Sequence, residues 1–201
     1  MLRTQPLVAV GAMAAMSGGA MWIVKGTVIL ITGDQPQLMF EIPGLLFPFA
    51  LMGLHDLLRG QGERRAAAGG LLARIALAMA TGVAIYGVVE DDPSDAILGV
   101  GIGLTASTIV GALVLLGPAA RAVGALPETW RNLPLVMGLA AVPVMTVLGG
   151  ILEAVHERLL ELPIVAYGGA WVAVGVVLWS SRGATERSAP EEGRAKGTST
   201  A

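Results

Sequence analysis

The chain has 201 residues, of which 54% are hydrophobic and only 14% charged, with a mean hydropathy of +0.71. That charge content is well below the rough quarter typical of soluble domains, and a net charge of −2 with no basic, aromatic-interleaved patch offers no nucleic-acid surface. With no cysteine, disulfides, thiolate nucleophiles and sulfur metal ligands are excluded.

The apolar residues fall into six blocks, at about 7–31, 38–58, 71–89, 96–116, 133–152 and 162–180. Each is long enough to cross a bilayer as a helix, which needs about 20 apolar residues. The breaks carry turn chemistry: "TGDQPQ" (32–37), "RGQGERR" (59–65), "EDDPSD" (90–95), "GPAARAVGALPETWRN" (117–132) and "EAVHERLLE" (153–161). The expected fold is therefore all-α: a polytopic membrane protein whose six helices form one bundle over residues 1–181. Residues 182–201 have almost nothing apolar to bury and are expected to be a disordered tail.

Orientation follows from lysine and arginine. With the N-terminus inside, eleven of the thirteen fall on inner segments, and only Lys25 and Arg158 fall outside. Both termini are thus expected in the cytoplasm of a bacterial inner membrane. A cleaved signal peptide is the rival reading of the first block, but the 18 apolar residues of 7–24 exceed an ordinary signal core, and apolar sequence resumes after Lys25.

Lys25 lies inside the first block. A helix over residues 7–24 is roughly 27 Å long, so the lysine stands near the outer boundary, where its stem can lift the ammonium towards the headgroups. Glu41 enters the second helix from the same side at a similar depth, and a Lys25–Glu41 ion pair bridging the first hairpin is the expectation. The alternatives are two independently snorkelling charges, or a lysine that relays protons.

The outer side is acidic, carrying Asp34, Glu41, Glu90, Asp91, Asp92, Asp95, Glu153, Glu157 and Glu161. Helix capping accounts for Glu41, Asp95 and Glu161, which open helices where the dipole favours an anion. Glu90, Asp91, Asp92, Glu153 and Glu157 lie at or past helix ends. They are read as solvated surface, as a cluster that attracts a divalent cation, or as a docking face.

"EAVHE" (153–157) has Glu-x-x-His spacing, but the only other histidine, His55, falls at the opposite side of the membrane, so the two share no di-iron site. No phosphate-binding loop and no nucleophile elbow occurs. On the fourth helix, Gly99, Gly103, Ser107 and Gly111 recur every four residues, a ladder that lets another helix approach at backbone contact, within the bundle or in a homo-oligomer. Trp130, Trp179 and Tyr86 are expected at the membrane boundaries, and Met13, Met16 and Met21 as gap fillers. No cofactor is implied.

Three function classes stay open: a small membrane subunit or scaffold, a cation or small-solute transporter with an acidic mouth, and an outer-surface enzyme using Glu153, His156 and Glu157. The subunit comes first, because buried polar groups are scarce.

Overall fold

The computed structural model describes residues 6–34, 41–60, 64–90 and 94–187; side chains are described up to Arg182, with that of Glu41 excepted. The backbone folds into α1 (Pro6–Thr32), α2 (Glu41–Leu57), α3 (Arg64–Val89), α4 (Asp95–Ala122), α5 (Leu133–Val142), α6 (Gly149–Val155) and α7 (Glu161–Arg187). A π-helical turn, Pro143–Leu148, joins α5 and α6 into one rod, so the architecture is all-α with six rods.

Five rods are long and apolar enough to cross a membrane: Pro6–Thr32, Arg64–Val89, Asp95–Ala122, Glu128–Val155 and Glu157–Arg182. The second, α2, falls short. Its 17 residues span about 25 Å, and the beginning of the block expected at 38–58 lies outside the described residues. Three helices run further than hydropathy implied, among them α4, which continues to Ala122 rather than ending near 116. α3 starts at Arg64 rather than 71, because exposed Arg64 and Arg65 extend the helix without needing an apolar environment. α7 continues to Arg187, six residues into the segment expected to be a disordered tail; residues 188–201 lie outside the described residues.

The π turn has a local cause. Pro143 has no N–H and cannot complete the α-helical ladder, so the coil widens by one residue per turn instead of ending. The Thr146 hydroxyl donates to the Val142 carbonyl at 2.7 Å, giving an acceptor in the disturbed turn a partner. At the end of α4, Gly124 takes φ +62°, and the Ala125 N–H donates back to the Ala120 carbonyl at 3.0 Å, closing the helix with a left-handed cap.

Large apolar side chains point outward all round the bundle: Val88 is 80% exposed, Ile31 72% and Leu139 61%. Small residues point inward, and they form two seams along α1. On one, Ala12, Gly19 and Gly26 face α7; on the other, Gly11 and Gly18 face α2. A Cβ on Gly19 would collide with the Gly168 carbonyl oxygen and lie 2.8 Å from the Val172 nitrogen. One on Gly175 would lie 2.7 Å from the Ala12 oxygen, and one on Gly11 would lie 2.7 Å from the Gly53 Cα. Backbones touch here because no side chain intervenes, which is how helices associate in lipid, where burial in water-excluding surroundings gives no drive.

Most of the ladder expected on the fourth helix lies off the packing surfaces within this chain. A Cβ on Gly99 or Gly103 would meet nothing within 4 Å, and Ser107 is exposed. Only Gly111 packs, against Leu72. The seam between α3 and α4 uses the neighbouring face instead, with Gly101 against Val83 and Gly69 against Leu116. Helices crossing at a shallow antiparallel angle repeat their contacts every seven residues, so a four-residue ladder drifts off such a seam.

Candidate functional site: a buried ion pair above an aromatic cluster

Lys25 is 2% exposed and Glu161 9%, the two buried charged side chains among the described residues. They meet across the α1–α7 seam, with Lys25 Nζ 3.7 Å from Glu161 Oε2. The register explains the meeting. Gly26, Gly19 and Ala12 on α1 face Glu161, Gly168 and Gly175 on α7, both sets spaced by seven residues and running in opposite directions. Glu161 therefore arrives level with Lys25. Gly26 lets α7 approach closely here: a Cβ there would lie 2.6 Å from a Val165 methyl.

Glu161 also opens α7, so its carboxylate sits at the positive end of the helix dipole. At 3.7 Å the ion pair is in Coulombic contact but beyond hydrogen-bond reach. Glu161 Oε2 is buried and accepts no hydrogen bond. The Trp22 indole N–H is also buried and donates none. Trp22 and Lys25 are three residues apart on α1 and thus share a face.

Beneath the pair, four rings from α1, α2 and α7 pack together. Phe47 stacks on Trp171 at 4.4 Å and 9° between planes, and meets the edge of Trp22 at 5.1 Å and 89°. Tyr167 lies 6.0 Å from Trp22 and 6.4 Å from Trp171, and its hydroxyl donates to the Met137 carbonyl at 3.4 Å. Trp171 is fully buried, and its indole N–H also has no hydrogen-bond partner.

Of the residues singled out in the sequence, Lys25 is in this site. The Glu41 side chain lies outside the described residues, as do Asp91 and Asp92. Glu90, Glu153 and Glu157 are exposed, and no three His, Asp or Glu side chains among the described residues are grouped to hold a metal ion. His156 sits in extended backbone between α6 and the short 3-10 turn Glu157–Leu160, where its Nδ1 accepts from the Arg158 N–H at 3.2 Å. Trp130 and Trp179 are both part-exposed at the far end of the bundle, and the Arg182 guanidinium lies 4.5 Å over the Trp179 ring. Met16 packs onto Gly175, as expected of a gap filler, whereas Met13 is 49% exposed.

Sequence reasoning missed Glu161 as a partner of Lys25, together with Trp22, Phe47, Tyr167 and Trp171. Two signals were available: the seven-residue spacing of Glu161, Gly168 and Gly175, and the Glu-x-Pro shared by 41–43 and 161–163. Comparison with known protein families, curated proteins and solved structures finds no match.

Proposed function

We propose that the chain is a small multi-pass subunit or scaffold of a bacterial cytoplasmic membrane, with both termini inside. The observation that carries this reading is the pair of backbone-contact seams joining α2, α1 and α7. They fill the middle of the three-helix unit with protein, while the outward surface is apolar on every side. A partly open cavity lined by Leu54, Leu126, Trp130 and Val177 holds only about 10 Å³, close to a single water, and a shallow groove of about 320 Å³ lies on the α1–α2 surface at Val10, Met13, Leu46 and Phe49.

Purification in mild detergent followed by native mass spectrometry tests the reading. The expected result is a second chain or a second copy in fixed stoichiometry. A bare monomer whose deletion alters the abundance of no other membrane protein would overturn it.

Orientation is tested separately. The chain has no cysteine, so a single Asp34→Cys or Gly60→Cys gives an unambiguous label. In intact cells, an impermeant maleimide is expected to label position 34 at once and position 60 only after permeabilisation. The reverse pattern would invert the topology.

A second reading, passage of a cation or small solute, is favoured by the Lys25–Glu161 pair, because charges set among membrane-length helices mark transport sites more often than structural ones. It expects solute-dependent stabilisation that Lys25→Met removes.

A further inference from the structure

Arg74 is the one charged residue of the apolar block 71–89, and it lies on the exposed side of α3. Among the described residues, no carboxylate lies within ion-pair distance of it. It stands three residues past Leu71, so its Cα is about 4.5 Å inside the apolar boundary. A charge at that depth needs a route to the surface or a partner. Side chains of a helix lean towards its N-terminus, so the Arg74 stem runs back past the turn of Gly70 to the boundary. Gly70 packs on α2, where a Cβ would collide with the His55 ring. Of the charges acting on that ring, Arg74 is the strongest, ahead of Asp56 and Arg59. The guanidinium is therefore close to the α2–α3 seam.

The local charge balance is positive. Asp56 Oδ1 is already engaged by Arg59 Nη1 at 3.6 Å, so Arg74 adds a cation that this pair does not neutralise. On the same face of α3, three or four residues away, Leu71, Ile75 and Ala78 are exposed. A cation at the boundary that continues into an apolar face is the complement of a phospholipid, which joins a phosphate to acyl chains. We propose that the α2–α3 face at Arg74 holds an anionic phospholipid, its phosphate oxygens accepting from the Arg74 guanidinium and its chains lying along Leu71, Ile75 and Ala78. The guanidinium fork matches two phosphate oxygens at once. A net-negative headgroup fits better than a zwitterionic one, because Arg59 and Arg74 together outweigh Asp56 and repel a headgroup ammonium. The inference rests on α3 crossing the membrane and not on the subunit reading, and it holds for either orientation.

The test is native mass spectrometry of the full chain released from mixed micelles that hold equal amounts of phosphatidylglycerol and phosphatidylethanolamine with matched chains. Phosphatidylglycerol is expected to stay bound in preference to phosphatidylethanolamine. Arg74→Gln is expected to lower its retention about tenfold, the worth of one charge-assisted contact. Arg131→Gln, which removes an arginine already paired with Glu128 at 3.7 Å, is expected to leave retention unchanged. Arg74→Lys keeps the charge and is expected to restore most of the retention, which separates a lost contact from a folding defect. Millimolar inorganic phosphate is expected to displace nothing, since the chains hold the lipid to the helix face. Equal retention of the two lipids, equal losses in Arg74→Gln and Arg131→Gln, no rescue by Arg74→Lys, or displacement by inorganic phosphate would each overturn the proposal. A co-purifying partner chain reads at a different mass, so the subunit reading stands or falls separately.

Discussion

Gly19→Leu is expected to destabilise the chain by more than about 4 kcal/mol, a large fraction of the 5–15 kcal/mol that holds a typical domain together. A new side chain at this position meets the Gly168 carbonyl and the Val172 nitrogen, which are backbone atoms of a helix and cannot rotate aside. Overpacking against flexible side chains costs about 1–3 kcal/mol; against backbone the two helices must separate, and the contacts of Gly26 and Gly175 are lost with them. The control is Gly103→Ala. Its Cβ would meet nothing within 4 Å, so the substitution is expected to be neutral or to stabilise by up to about 1 kcal/mol through helix propensity. Detergent-resistance assays or thermal unfolding of both variants read this directly. Equal effects would mean that the α1–α7 seam is not the organising contact.

The second large effect concerns Lys25 and Glu161, and here the two single substitutions should differ. Removing one partner of a buried pair leaves an uncompensated charge, at about 3–5 kcal/mol. Glu161→Gln is expected to cost about 3 kcal/mol, because it takes from buried Lys25 the carboxylate 3.7 Å away, at a point seven residues short of the end of α1. Lys25→Met is expected to cost less, roughly 2 kcal/mol, since Glu161 remains at the favourable N-terminus of α7. The double variant is expected to return to within about 1 kcal/mol of the parent, because replacing both charges avoids burying either alone. A double-mutant cycle by thermal unfolding measures the coupling. Additive losses would show that the two groups act independently.

Sequence alone was sufficient for class and helix count, since blocks of apolar residues bounded by Gly, Pro and charge have few other solutions in lipid. It also drew attention to Lys25, the one ammonium inside an apolar block. What it did not reveal was that α7, as well as α2, lies beside α1. Glu41 and Glu161 both open helices on the same side, each two residues before a proline, and depth does not separate them. The nearer in sequence was the natural expectation, and its side chain lies outside the described residues; Glu161 on α7 was not considered as a partner. The ladder on α4 stays off the seams within the chain for a related reason. A four-residue spacing of small residues shows what a face permits, while the seven-residue spacing shared by α1 and α7 reports what a shallow antiparallel crossing requires. The aromatic cluster drew no attention because Trp22, Phe47, Tyr167 and Trp171 come from three helices and share no local pattern.

The seam between α1 and α7 also sets a timetable for the chain's birth. Lys25 leaves the ribosome 136 residues before Glu161 (161 − 25), which at about 5–20 residues per second is on the order of ten seconds. Throughout that interval the first helix is already in the membrane without the carboxylate it will finally meet, and its glycine face has no α7 to rest on. Four intervening rods must be threaded before the last one can close the ring. A chain stalled anywhere before α7 would therefore display both a bare glycine groove and a lysine lacking this counter-charge, an unfinished edge that membrane quality control can recognise.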